Sequence, residues 1–531
     1  MHLSVYLIII VLLLLGLLIY KYAFKPFSYW KERNVLYSKD LIPMFGNTWK
    51  STFKKISMFD NFIELYEEYP NESYNGIYNF NMSSLLVRDL ETLKQICVKD
   101  FDYFTDHRHQ VVSGLEELFF KNLVQLNGDE WKHMRATLSP AFTGSKMKGM
   151  FVMISECAKQ FAENFVDHRD EVAEIDMKDL FSRFTNDVIA SCAFGVQCDS
   201  IKDRENDFYM MGKDAMQFEG FRLYKFFLFA VFPKLFQFFK CRVFPKTTSD
   251  FFMNIIQETF EYRSANGVVR PDMLHLLMEA KKGKLKHEDN QDDKVDKGFA
   301  VIEESSIGKR EIVQKEITNE DIAAQAFIFF FAGFETASVI LSMMANELAI
   351  NVDVQEKLQK EIDDVMEEHN GKPTYEAVMG MKYMDMVVSE VLRKWPPAPI
   401  TDRECTKEYT LKGKGTSYTL QKGENITIPI IGLQRDPRYF PNPDKFDPER
   451  FSDENKKNII PYTYIPFGVG PRACIGSRFA LMEIKLMFIH LLSKFDLVVT
   501  KKTAVPLILS KKTMRVQPEG GFWVGMKQRQ K

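Results

Sequence analysis

Phe467-Gly468-Val469-Gly470-Pro471-Arg472-Ala473-Cys474-Ile475-Gly476 decides how the rest of the chain is read. A helix-period run follows, from about Ile475 to Ser493, with Phe479, Met482, Leu486 and Ile489 on one face. Cys474 therefore stands at a helix start. Unpaired N–H groups and the positive end of the peptide dipole there favour a thiolate. Gly470 and Gly476 remove side chains, so backbone can approach a flat ligand closely. Arg472 is placed to pair with an anion. A lone cysteine is more often a structural residue. The ten-residue context makes Cys474 a candidate metal ligand.

The bulk of the chain is consistent with an enzyme. It has 531 residues, a net charge of −2 and 46 Phe. That charge leaves no nucleic-acid footprint. The seven Cys are scattered, without C-x-x-C spacing, which excludes a disulfide framework or a zinc site. The run Leu3 to Tyr20 is uncharged and rich in Leu and Ile, just long enough for a membrane-spanning helix. Lys21, Lys25, Lys31 and Arg33 follow it and favour a cytosolic body.

Between the ends, short strand-like runs occur at Gly76 to Phe80 and Ser84 to Val87, and helical periodicity prevails from Glu116 to Glu279. Lys281 to Ile312 reads as an exposed charged loop. Thr318-Asn-Glu-Asp321 reads as an N-cap for an apolar run, Ile322 to Ile350, that lacks a polar face. Such a helix is buried through the middle of a large protein, and Glu335 in its centre argues against a membrane span. Further helices are predicted near Val354 to Glu368 and Tyr383 to Trp395. Frequent Pro from Pro396 to Pro448 then favours strands and coil. The stretch Phe218 to Phe244 interleaves Phe with Lys and Arg, as suits a membrane interface.

Three further groupings carry chemistry. Glu390 and Arg393 share a helix face and can form an ion pair. Gly333, Glu335 and Thr336 interrupt the apolar run with a residue that weakens helix, a buried charge and a hydroxyl that can bond back to the previous turn. They open a kink or, equally, pack against a neighbour with the Glu paired. Trp131 and Arg135 also share a helix face, to reach an anion together or to form a cation–π pair.

The Cys474 segment resembles the haem-binding signature F-x-x-G-x-R-x-C-x-G of the cytochrome P450 family. Phe467, Gly470, Arg472, Cys474 and Gly476 meet every fixed position. The family's E-x-x-R matches Glu390 and Arg393, its P-E-R-F matches Pro448 to Phe451, and its W-x-x-x-R matches Trp131 and Arg135. The resemblance covers essentially the whole chain and is strongest to insect microsomal members of the clan associated with xenobiotic metabolism.

That resemblance implies a mainly α fold with a smaller β-rich portion. Haem b (iron protoporphyrin IX) would be buried between the long central helix and the Cys-bearing helix start. Cys474 would ligate the iron. Phe467, Arg472, Trp131, Arg135 and Arg403 would hold the cofactor, Glu335 and Thr336 would deliver protons to bound O₂, and Glu390, Arg393 and Arg450 would lock the fold. Ala337 stands where the family often has a second hydroxyl.

Residues 1–22 would be an anchor, 23–50 a linker and 51–531 the catalytic domain, on the cytosolic side of the endoplasmic reticulum membrane. The expected activity is insertion of one oxygen atom into a hydrophobic small molecule, a xenobiotic or an endogenous lipid or hormone. The expected electron donors are NADPH–cytochrome P450 reductase and cytochrome b5, with Lys132, Lys146, Arg478 and Lys485 as a basic docking face. A haem-thiolate isomerase that needs no reductase and a non-catalytic haem sensor are the alternatives.

Overall fold

The computed structural model describes residues 2–108, 117–165, 172–217, 222, 225, 228–229, 233–242, 244–283, 298–301, 317–413, 415–513 and 516–530. The central helix, Asn319–Ile350, organises the rest. Its start is a full capping box: Thr318 Oγ1 accepts the Asp321 N–H at 3.1 Å, and Asp321 accepts the Thr318 N–H at 2.9 Å. Helices Met177–Ile189, Lys246–Asn266, Lys382–Lys394 and Ser477–Leu492 pack around it. That enclosure explains an apolar sequence without a polar face. The N-terminal helix His2–Ile19 is equally apolar, yet its described side chains are exposed. Burial, not composition, separates the two.

Glycine sets how closely the helices approach. A Cβ on Gly333 would overlap Ile189 of the neighbouring helix, and one on Gly212 would overlap Phe330. The central helix stays regular across residues 332–337. Gly333 therefore serves close packing rather than a break.

In chain order the strands are β1 (Tyr74–Asn79), β2 (Met82–Val87), β3 (Ala173–Asp176), β4 (Thr401–Glu404), β5 (Tyr409–Lys412), β6 (Ser417–Leu420), β7 (Asn425–Ile428), β8 (Phe495–Val498) and β9 (Trp523–Gln528). One sheet has the order β1-β2-β7-β4, with β7 parallel to β2 and the other pairs antiparallel. A second runs β3-β9-β8, and β5-β6 is a hairpin. The Pro-rich stretch thus supplies β4 to β7.

One expectation changes, at the last helix, and the N-terminal stretch gains packing detail. The stretch 23–50 is folded onto the body. Trp30 is buried, its Nε1 donates to the Ile77 carbonyl at 3.1 Å, and its ring lies where a side chain on Gly76 would be. The last helix starts at Ser477, two residues later than expected, and is buried nearly all round from Leu481, because the Gly144–Glu163 helix and the central helix both cover it. Most of 281–312 and much of 218–244 lie outside the described residues.

Candidate active site

Phe467 to Gly476 forms a turn closed on itself. The Cys474 N–H donates to the Phe467 carbonyl and the Ala473 N–H to the Gly470 carbonyl, both at 2.9 Å. Gly470 has φ +76°, and a Cβ there would overlap the Cys97 carbonyl. Its lack of a side chain therefore lets the turn pack on Gln95–Lys99, not on a ligand. Gly476 differs: the nearest atom to a Cβ would be in the Phe142 ring, 4.0 Å away.

Cys474 is exposed, although protein atoms surround it closely. Burial pushes its thiol up, while the Gly476 N–H and the charge of Arg135 pull it down without prevailing. A bound metal ion deprotonates a ligating thiol outright.

The facing wall is on the central helix. Phe329, Ala332 and Thr336 fall on one helical line, and Ala332 and Thr336 are exposed in the middle of a buried helix. The Phe142 ring joins the two walls, near Gly476 on one side and 5.4 Å from the Phe329 ring on the other. The Cys474 thiol and the Thr336 side chain are thus both exposed, on two elements that the Phe142 ring connects.

Cations crowd its edge. Arg135 donates to the Ala473 carbonyl at 2.9 Å, which ties it to the Cys474 turn. Arg472 donates to the carbonyls of Thr105 and Leu126, both at 2.7 Å, and lies 4.0 Å above the Trp131 ring. Trp131 thus seats Arg472, not Arg135. Arg403 donates to the Asp402 carbonyl at 2.6 Å, and its Nε is buried without an acceptor among the described residues.

Burial, then the charges of Arg403 and Arg135, push Arg472 down to about 8 against the opposing pull of Asp106. His107 Nδ1 lies 3.1 Å from Asp402, which also accepts the Arg108 N–H. His107 and Asp402 carry no sequence pattern that announces them. An accessible cysteine near guanidinium groups, one of which (Arg403) keeps a buried Nε without an acceptor among the described residues, fits a flat macrocycle that bears a metal and two carboxylates.

Glu335 and Thr336 face different partners. Thr336 Oγ1 donates to the Ala332 carbonyl at 2.6 Å. Glu335 Oε2 lies 3.0 Å from Lys178 Nζ of the adjacent helix, and Lys178 also reaches Ser338 Oγ at 2.6 Å. Lys178 was not legible in the sequence, since it lies 157 residues away from Glu335.

Beyond the site, Glu390 and Arg393 form a buried bidentate pair at 2.7 and 2.8 Å, with Arg450 Nε 3.5 Å from Glu390. The expected docking face needs one correction. Lys485 is buried, donates to the Met379 carbonyl and stands 3.4 Å from Asp385, because the Cys-bearing helix is enclosed there.

A fold of this topology, with an open cysteine turn facing a long central helix and edged by arginines, defines a haem-thiolate protein. The cytochrome P450 family model matches residues 38–525, and the chain belongs to that family. It is 44% identical to cytochrome P450 9e2 of Blattella germanica over 518 residues, 94% of each chain. It is 42% identical to probable cytochrome P450 9f2 of Drosophila melanogaster, over 96% of this chain and 97% of the relative. Cytochrome P450 6k1 of Blattella germanica is 37% identical, over 95% and 93%. The protein is a P450 monooxygenase that uses haem b.

Proposed function

We propose that this chain oxidises hydrophobic small molecules, insecticides and other xenobiotics among them, with electrons that NADPH–cytochrome P450 reductase delivers and cytochrome b5 supplements. Residues 1–22 anchor it in the endoplasmic reticulum membrane, 23–50 join the anchor to the body, and 51–531 form the catalytic domain on the cytosolic side. When bound, haem supplies an iron at which O₂ is activated for transfer of one oxygen atom to substrate.

In this reading Cys474 is the iron ligand and Phe467 accepts its N–H. Arg135, Arg403 and Arg472, the last seated on Trp131, offset the cofactor's carboxylates. Thr336 stands at the open face, where it can hand a proton to the reacting oxygen. Glu335 supplies the adjacent acid, held by Lys178. The observation that carries the reading is the exposed Cys474 in its glycine-rich turn, linked through Phe142 to the helix that exposes Thr336, with Arg472 and the unsatisfied Arg403 Nε close to that turn.

An aromatic cluster beside the central helix is consistent with the substrate class. Phe331, one residue before Ala332, lies 6.2 Å from Phe119, which lies 5.2 Å from Phe244. Phe229 and Phe236 extend the cluster, separate from the main core. A ligand lying against these rings would gain by burial and find few hydrogen-bonding groups.

The test is Cys474→Ser in the full-length protein. The expected result is loss of the thiolate-type absorption of the reduced CO complex and loss of NADPH-dependent product. Retention of both would overturn the assignment. Reversing Lys132 and Arg478 should slow reductase-driven turnover and spare peroxide-driven turnover.

A further inference from the structure

The chain leaves the helix Met273–Lys281 and re-enters the central helix at the same place, where Lys281 Nζ donates to Asn319 Oδ1 at 2.6 Å. Residues 298–301 fall between these ends in sequence and dock elsewhere on the body. Their turn is closed by the Val301 N–H, which donates to the Gly298 carbonyl at 3.1 Å. Ala300 is 4% exposed and belongs to the main core, with Val301 packed against it. The charged sequence around this turn predicts none of that burial.

Three elements build the dock. Asp385, on the helix Lys382–Lys394, accepts the Phe299 N–H with Oδ2 at 2.8 Å. A Cβ on Gly298 would overlap the other oxygen of that carboxylate, so glycine is what brings the backbone this close. The Phe299 ring lies 5.1 Å from Phe451 and 5.3 Å from Tyr464, and those two rings are 5.0 Å apart. Aromatic rings in such contact gain beyond the area they bury.

Each partner leads towards the cysteine turn. Asp385 Oδ1 stands 3.4 Å from Lys485 Nζ of the Cys-bearing helix. Phe451 follows Arg450, whose Nε is 3.5 Å from Glu390. The Tyr464 hydroxyl donates to the Ser389 carbonyl at 3.1 Å. The next residue, Ile465, donates its N–H to Gln434 Oε1 and accepts the Gly468 N–H, both at 2.9 Å. Phe467, whose carbonyl accepts the Cys474 N–H, comes shortly after. Loss of the Phe299 ring therefore uncovers Tyr464 and Phe451 together, at the entry to the turn.

We propose that Phe299 is a positioning residue for the iron ligand. The docked turn 298–301 braces the segment from Tyr464 to Phe467 and, through Asp385, the Cys-bearing helix. It thereby holds Cys474 in the geometry that ligates metal as a thiolate. The proposal rests on the reading of Cys474 as the ligand.

The experiment compares the full-length parent with Phe299→Ala, Phe299→Tyr and Phe252→Leu. Phe252 is buried against Phe327 and Phe330 of the central helix and controls for general loss of packing. Each protein is held in urea at the same distance below its own unfolding midpoint. With haem bound, the reduced CO complex is followed as its thiolate-type band gives way to the thiol-type band. Without haem, hydrogen exchange is read at the amides of Gly468, Ala473 and Cys474. The expected result is that Phe299→Ala converts severalfold faster than the parent and Phe252→Leu, and exchanges those amides severalfold faster. Phe299→Tyr should match the parent in both. Rates for Phe299→Ala equal to the parent's, or no faster than those for Phe252→Leu, overturn the proposal. A parent without a thiolate-type band would instead defeat the reading of Cys474, and the amide exchange separates that failure from failure of the Phe299 dock.

Discussion

Lys178 and Glu335 sit on helices packed side by side, with Nζ of the first 3.0 Å from Oε2 of the second. The same ammonium reaches Ser338 Oγ, so it fixes the carboxylate next to Thr336 from behind. Lys178→Met removes that tether. The expected outcome is a folded, haem-replete protein in which a smaller fraction of NADPH electrons ends in product and more ends in hydrogen peroxide. The pair is only partly buried, so the melting transition should lose about 1–2 kcal/mol. Unchanged coupling of NADPH to product would remove Lys178 from the proton-handling side of the site.

Glu390 and Arg393 are fully buried, and the carbonyls of Gln434 and Pro443 accept from Arg393. Arg393→Met leaves the buried Glu390 carboxylate with only Arg450, 3.5 Å away, and the Asp447 N–H, and should cost about 3 kcal/mol. Replacing both residues by apolar ones should recover part of that loss. Thermal melts of the single and double variants decide it, and equal melting of the two would mean that the charges are not coupled.

The arginine cluster predicts opposite effects in two states. Arg403→Met removes one of the crowded cations, so the haem-free protein should melt higher. The same change removes a partner for the cofactor's carboxylates, so haem should transfer faster to an apo-globin acceptor. A haem-free protein that melts lower, with no faster haem transfer, would leave Arg403 a structural residue only.

Glu483 gives a pH dependence. It is fully buried on the Cys-bearing helix, neither carboxylate oxygen has a hydrogen-bond partner among the described residues, and burial raises its pKa well above the usual carboxylate range. The folded protein therefore holds a proton that the unfolded chain has released at neutral pH. Stability from this group is then greatest below the unfolded pKa and falls as pH rises towards the folded one, by about 1.4 kcal/mol per pH unit. Glu483→Gln should stabilise the protein at pH 8 more than at pH 5. A gain that does not change with pH would show that Glu483 is ionised in the fold.

The parts legible in the sequence were those that local chemistry dictates. The Thr318 capping box, the all-round apolar central helix and the Glu390–Arg393 spacing each need only a few consecutive residues. The cysteine turn was legible as a pattern, but the reason for Gly470 was not, because it lies in the carbonyl of Cys97. Lys178, Asp402 and Phe142 were missed for the same reason: each joins the site through tertiary contact and sits in unremarkable local sequence. Lys485 misled because charge on a helix suggests a solvated face. Here the helix is wrapped, and Asp385 takes the ammonium instead.

Trp30 has a practical bearing on preparing the protein without its apolar helix. The indole fills the space above Gly76, and Phe27 supplies the carbonyl that Tyr78 needs. A truncation that begins at Tyr22 discards helix whose described side chains are all exposed. One that begins after Arg33 opens a cavity the size of an indole beside β1, and should give a soluble chain that aggregates or sheds its N-terminal sheet.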